Sequence, residues 1–408
     1  MPRARFVTLP LAVLLTCTAL PLVAQGTSTP PPTPASPPAP ASTPLTVSGV
    51  IVGSYNFTPS TTPNQLPNQT DNSFILDRAY LTFRMPAGDR TSVRITTDVY
   101  QTTEATQNAY TIRAKYAYVQ YDGAKMASGA SVMGRLGILQ TVTIEHDETF
   151  WPRYLSQVAV EKAGYFSSAD VGLATQVNLP SKLGEIYATI TNGPGYQFRE
   201  RDRFKDYAVR LSLTPLANNP TTPTLLQNLT VTAWGYKGAT ASGFVNGGAN
   251  QVGNIGEAID RSRAGVFVGI RDPRLVIAGE FAQRRDGIEQ GANTVASPRT
   301  LGATTGNLLS AFTVVRPLAF SNAGGKSPFG LVGRYDRVKP TASSDNLTPA
   351  PVTDNSYHTV IGGVFYDLSQ RAQFALDYQE SLASNNGTSN PPTSGQTKGY
   401  FAHFNVTF

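Results

Sequence analysis

From Leu45 onward, apolar and polar positions alternate along the chain with a period of two. In Asp206–Leu213, Tyr207, Val209, Leu211 and Leu213 fall on one face, opposite Asp206, Ala208, Arg210 and Ser212. Arg261–Arg271 repeats the pattern, with Ala264, Val266, Val268 and Ile270 facing away from Arg261, Arg263, Gly265 and Arg271. In Tyr110–Tyr121 the same spacing places Tyr110, Ile112, Ala114, Tyr116 and Tyr118 together, against Thr111, Arg113, Lys115 and Ala117. Such a strand lies between two different environments. About sixteen segments of this kind have the length of a barrel strand. The first eight are 45–57, 72–86, 89–102, 109–122, 131–141, 169–179, 183–192 and 204–216. The others are 226–239, 259–271, 273–285, 305–318, 325–339, 355–369, 371–383 and 396–408.

The connections sort by parity. Ala87-Gly88, Pro180–Lys182, Asp272 and Gln370 are tight, and the longer 123–130, 217–225 and 319–324 belong to the same series. Between them run long polar segments at 58–71, 142–168, 193–203, 240–258, 286–304, 340–354 and 384–395. Short turns on one rim and long loops on the other predict an all-β fold, a closed antiparallel transmembrane β-barrel. An even strand number returns both chain ends to the short-turn rim. Mean hydropathy slightly below zero fits a wall whose lipid-facing residues alternate with wet ones.

The N-terminus reads as an export signal over residues 1–24. Arg3 and Arg5 precede an apolar stretch, Phe6–Leu22, and Ala24 supplies a small residue for cleavage. Residues 25–44 are a Pro-rich spacer that cannot bury a core, and residues 45–408 form the barrel. Cys17 is the single cysteine and lies inside the signal, so disulfide frameworks and cysteine metal sites are excluded from the mature chain. Removing the two signal arginines leaves 31 basic against 27 acidic residues, a net charge of +4 without a basic run. That is no nucleic-acid footprint. The chain closes on Tyr400, Ala402, Phe404, Val406 and Phe408 along one face. Tyr400, Phe404, Val406 and Phe408 resemble the signal by which the barrel-insertion machinery recognises its clients, which places the chain in the outer membrane of a Gram-negative-type bacterium.

Several stretches are similar to the phosphate-selective porin O and P family. They are Ile75–Phe83 with Arg94–Asp98, and Ala117–Tyr121 before Arg135–Gln140. Ala169–Leu173, Ile186–Gly193 and Lys205–Leu211 follow in the same order, so the resemblance covers roughly residues 72–216. It implies a sixteen-stranded, homotrimeric porin whose third loop, here 142–168, folds into the lumen and sets the constriction. That loop carries Glu145, His146, Asp147, Glu148, Trp151, Arg153, Glu161 and Lys162. A phosphate filter uses clustered Arg or Lys, and this loop is acidic on balance.

Alternation turns Arg78, Arg94, Arg113, Lys115, Arg135, Arg210, Arg261, Arg263 and Arg334 toward the lumen, with Asp98, Asp206, Asp336 and Asp377. Charge is costly on the lipid face. Two roles fit these cations: a lining that favours small ions or anionic solutes, or braces paired with acids across the wall. Glu145-His146-Asp147-Glu148 has metal-ligand chemistry, yet no second cluster matches it, and a solvated loop accounts for it better. Trp151 reads as packing at the constriction. No Gly-x-Ser-x-Gly motif is present, and no cofactor, metal or catalytic residue is expected. The reading is passive diffusion of small hydrophilic solutes with a mild anion preference. The rival is a plugged barrel serving as adhesin or surface enzyme.

Overall fold

In the computed structural model, residues 45–57, 72–101, 110–200, 202–241, 258–290, 300–321, 326–345, 356–383 and 398–408 are described. The export signal and the Pro-rich spacer lie outside them, as do large parts of the long loops.

Sixteen antiparallel strands close into one barrel, each paired with its sequence neighbours and the first with the last. They are β1 Thr46–Phe57, β2 Asn72–Pro86, β3 Thr91–Gln101, β4 Tyr110–Asp122, β5 Ser131–Gln140, β6 Ala169–Asn178, β7 Gly184–Thr191 and β8 Asp206–Leu213. The second half is β9 Leu229–Ala241, β10 Ala258–Arg271, β11 Leu275–Gln290, β12 Thr300–Val315, β13 Phe329–Asp345, β14 Tyr357–Asp367, β15 Ala372–Ala383 and β16 Lys398–Thr407. Every strand predicted from alternation is present. The largest differences are that β11, β12 and β13 run further into the long-loop rim, reaching 290, beginning at 300 and reaching 345.

The outer face is apolar. Ile51, Leu136, Leu173, Val209, Val266 and Phe281 are all exposed, as are their counterparts around the wall. A belt of this kind suits a bilayer's hydrocarbon, and closure leaves no backbone edge within it. Tyr110, Tyr207 and Tyr400 stand outside near the long-loop rim, and Tyr121, Tyr366 and Phe408 near the short-turn rim. Amphipathic rings at these two levels anchor a barrel at the headgroups. The inner face is polar and cross-linked. Thr82 meets Thr96 at 2.9 Å, Thr232 donates to Ser212 at 3.0 Å, and Thr359 meets Ser381 at 2.8 Å.

One predicted face is corrected. Tyr116 and Tyr118 do not share the outer face with Tyr110 and Ile112; both are buried inside the barrel. The cause is a bulge: Thr96 pairs with Tyr116 and Thr97 with Ala114, leaving Lys115 as an extra residue. An extra residue reverses the parity of every position after it. A second bulge leaves Asp77 unpaired opposite Val52/Gly53.

Closure depends on a close approach. Gly49 N–H donates to Phe408 O at 2.9 Å, Phe408 N–H donates back at 3.0 Å, and the Phe408 ring covers Gly49. A Cβ on Gly49 would lie 2.3 Å from that ring. Gly49→Leu is therefore expected to displace the terminal aromatic. The fraction of refolded protein migrating as the compact, heat-modifiable species should fall; equal yields for variant and parent would show that the contact is dispensable.

Candidate functional site

β5 ends at Gln140 and β6 begins at Ala169, and these strands are short beside the 16 residues of β12 and the 17 of β13. The intervening segment, 141–168, contains two single-turn helices, α1 Ile144–Asp147 and α2 Ala159–Lys162. Neither could persist alone. The barrel wall supplies what they lack. Arg210 on β8 donates to Val142 O. Arg271 on β10 donates to Thr149 O at 3.2 Å, and Arg284 on β11 to Ala163 O at 3.2 Å. Arg334 on β13 donates to Gln157 O at 2.6 Å, and Gln379 on β15 to Leu155 O at 2.8 Å. These carbonyls would otherwise be orphaned inside the lumen. The segment therefore lies across the interior, fastened to the wall from β8 to β15.

Apolar packing reinforces it. Trp151 is fully buried, with its ring 5.4 Å from Phe312, and Phe150 packs 4.8 Å from Phe267. Ile144, Val160 and Tyr165 complete a core shared with Leu308 and Trp234. Inside the barrel, Trp234 lies across Gly265, where a Cβ would come within 2.4 Å of the indole.

The acidic face of the segment looks toward β2–β5. Glu145 is half exposed and stands 3.5 Å from Arg94. Arg153 holds both Glu148 and Glu161, the latter at 3.0 Å. Burial pushes the Glu148 carboxyl up, with Arg153 opposing the shift. Burial pushes the Lys162 ammonium down, and neighbouring Arg334 adds to it. The expectation of a solvated Glu145–Glu148 stretch is corrected: Asp147 is buried, the half-buried His146 lies 2.7 Å from it, and His146 Nε2 lies 3.0 Å from Thr232 Oγ1. Helix α1 turns this pair toward the wall because Ile144 beside it seeks the core. Among the described residues, no three His, Cys, Asp or Glu side chains gather as metal ligands.

The inward cations divide into two groups. On β2–β5, Arg78 and Arg113 share the buried Asp98 at 2.9 and 3.0 Å. Arg113 also sits between the rings of Tyr100 and Tyr196, 3.7 and 4.7 Å from their centroids. Lys115 donates to Tyr80 Oη at 3.0 Å, and Arg135 donates to Gln120 at 2.9 Å and Gln140 at 3.3 Å. Away from this wall, Arg210 pairs with Glu185, Arg261 with Asp206 at 3.1 Å, and Arg263 with Asp286 at 3.4 Å. Arg334, beneath the inner segment, pairs with Asp336 at 2.6 Å. Seven of the nine thus contact carboxylates; among the described residues Lys115 and Arg135 do not.

The lumenal acids Glu185, Glu280 and Asp286 escaped the sequence reading. Period two exposes Glu280 directly, since Ile277 and Phe281 define the lipid face of β11. Of the C-terminal residues, Tyr400, Phe404 and Phe408 are exposed on the outer face, with Val406 in line beside them.

No protein-family model and no curated protein matches the chain. Solved structures do. The outer membrane channel DcaP of Acinetobacter baumannii superposes with a TM-score of 0.55 at 10% identity, covering 91% of this chain and 99% of that one. A loop-deletion form of OmpT, an outer membrane protein of Vibrio cholerae, gives 0.54 at 10% identity over 90% and 99%. An anion-selective porin from Comamonas acidovorans gives 0.53 at 9% identity over 90% and 99%. At such identities the likeness is one of architecture. The chain is a closed sixteen-stranded antiparallel β-barrel with the fold of these outer-membrane channels.

Proposed function

We propose that the protein is a narrow diffusion channel for small hydrophilic solutes, with a preference for anions. The path runs between the β2–β5 wall and the Glu145 face of the inner segment. The observation that carries this reading is the cationic surplus of that wall. Arg78, Arg94, Arg113, Lys115 and Arg135 gather there, and Lys115 and Arg135 have no carboxylate partner among the described residues. In a water-filled constriction of low-dielectric surroundings, uncompensated cations raise the local concentration of anions. A phosphate-selective porin of the O and P kind, assembled as a homotrimer, is the finer form of this reading.

Single-channel current under a salt gradient tests it. The reversal potential is expected on the anion side, and Arg135→Glu should move it toward cations. An unchanged potential in the variant would remove Arg135 from the path, and a cation-side potential in the parent would hand control to Glu145. Phosphate added to chloride should reduce the current if the finer form holds, and cross-linking in lipid reads the trimer. The packed core around Trp151 favours a second reading, a plugged barrel, which predicts no current from correctly folded protein.

A further inference from the structure

On the short-turn side of the inner segment, the lumen opens into a cavity of about 1010 Å³. Its roof is Gln140, Thr141 and helix α1 with Phe150; its walls include Tyr187 and Arg210; the turn 179–184 forms part of its floor. The electrostatics of this space are unbalanced. Both of its carboxylates are already matched, Glu145 by Arg94 and Glu185 by Arg210. Three further cations line it: Arg135, Lys182 and Arg271. Among the described residues none of these three has a carboxylate partner; Arg135 bonds to amides, and Arg271 to a backbone carbonyl.

The remaining lining is rich in amides and hydroxyls. Gln176, Asn178, Ser212, Thr214, Asn228 and Thr230 all contribute. Tyr187 and Phe150 add ring faces. Inorganic phosphate would leave most of these groups unused, because three dispersed cations cannot converge on so small an ion. A larger anion bearing hydroxyls uses all of them: charge at the guanidinium and ammonium groups, hydroxyls at the amides, and C–H surface at the rings.

The turn that presents Lys182 is strained. Ser181 and Lys182 have φ of 54° and 59°, a left-handed conformation that is unfavourable for residues with a Cβ. It is held from the next turn, where Asn218 Nδ2 donates to Ser181 O at 2.5 Å and Thr214 Oγ1 donates to Lys182 O at 3.1 Å. Strain maintained this way fixes Lys182 at the edge of the cavity.

We infer that this vestibule is a binding site for a polyhydroxylated organic anion, a sugar acid or a sugar phosphate. The inference rests on the lumen being a solute path and names the class of solute that pauses there. Calorimetric titration of the refolded full-length protein in detergent would use gluconate, glucose 6-phosphate, glucose and acetate as probes. Gluconate or glucose 6-phosphate should bind at least about tenfold more tightly than glucose or acetate. Arg271→Gln and Lys182→Gln should each weaken that binding by about the same factor. Gluconate alone would identify a carboxylate solute, and glucose 6-phosphate alone a phosphorylated one. Equal, weak binding of all four probes, or variants that bind like the parent, would overturn the inference. Bilayer currents separate it from the diffusion reading. An open channel that neither gluconate nor glucose 6-phosphate blocks removes the site and keeps the channel. Gluconate binding without current keeps the site and removes the channel.

Discussion

Trp151→Ala is expected to raise single-channel conductance severalfold while leaving the barrel itself folded. The indole is fully buried, with its ring against Phe312, its Nε1 donating to Ser156 O at 3.0 Å, and the Arg334 guanidinium 5.0 Å above it. Truncating a buried tryptophan costs about 3–5 kcal/mol. Where that loss is felt depends on local stability. The wall is a continuous hydrogen-bonded ladder of sixteen strands, whereas the inner segment owns only two single-turn helices. Local opening therefore draws on the segment before the wall. Released from β12 and β13, it would no longer fill the lumen. Current recordings and limited proteolysis within 141–168 check this together. Unchanged conductance with unchanged protease resistance would show that the carbonyl anchors from Arg284, Arg334 and Gln379 suffice without the indole.

The strands were legible because a barrel wall has one rule for every position: lipid outside, water or protein inside. Val266, Phe267 and Val268 illustrate it. The valines are exposed to lipid, and Phe267, one step out of phase, is buried against the inner segment. The rule fails where residue chemistry does not choose a face. Tyrosine is at home both in an interfacial girdle and in a packed lumen, so Tyr116 and Tyr118 gave no sign that Lys115 had reversed the parity of β4. Only the pairing of Thr96 with Tyr116 reveals the bulge.

The site was legible in direction but not in partnership. Each lumenal arginine could be turned inward because the lipid face excludes charge. That Arg78 and Arg113 share one aspartate, while Arg135 bonds to two amides and the Met133 sulfur, depends on side-chain reach across neighbouring strands. The path of residues 141–168 depends on contacts with strands as distant as β15. One signal was present in the sequence. Val142, Ile144, Phe150, Trp151, Leu155, Val158 and Val160 are too apolar for a segment bathed in water, and all are buried.

The second large effect is expected at Arg334. Its side chain is 1% exposed and pairs with Asp336, itself 3% exposed, at 2.6 Å. Asp336 also accepts from Ser310 at 2.7 Å, and Glu280, close enough to interact with both Asp336 and Asp147, is buried nearby. One guanidinium thus faces a cluster of acids while it donates to Gln157 O on the inner segment. Arg334→Leu removes the cation and leaves the acids behind, which for a buried pair costs about 3–5 kcal/mol. Removing both partners is different in kind. Arg334→Leu combined with Asp336→Leu deletes the uncompensated charge together with its counterion, so the double variant should recover much of the loss. Urea unfolding of the refolded protein in lipid measures all three forms. If the double variant were as unstable as the single one, the anchor to Gln157 rather than the ion pair would be the dominant contribution of Arg334. The inner segment would then open in both variants alike, and their conductances would rise together.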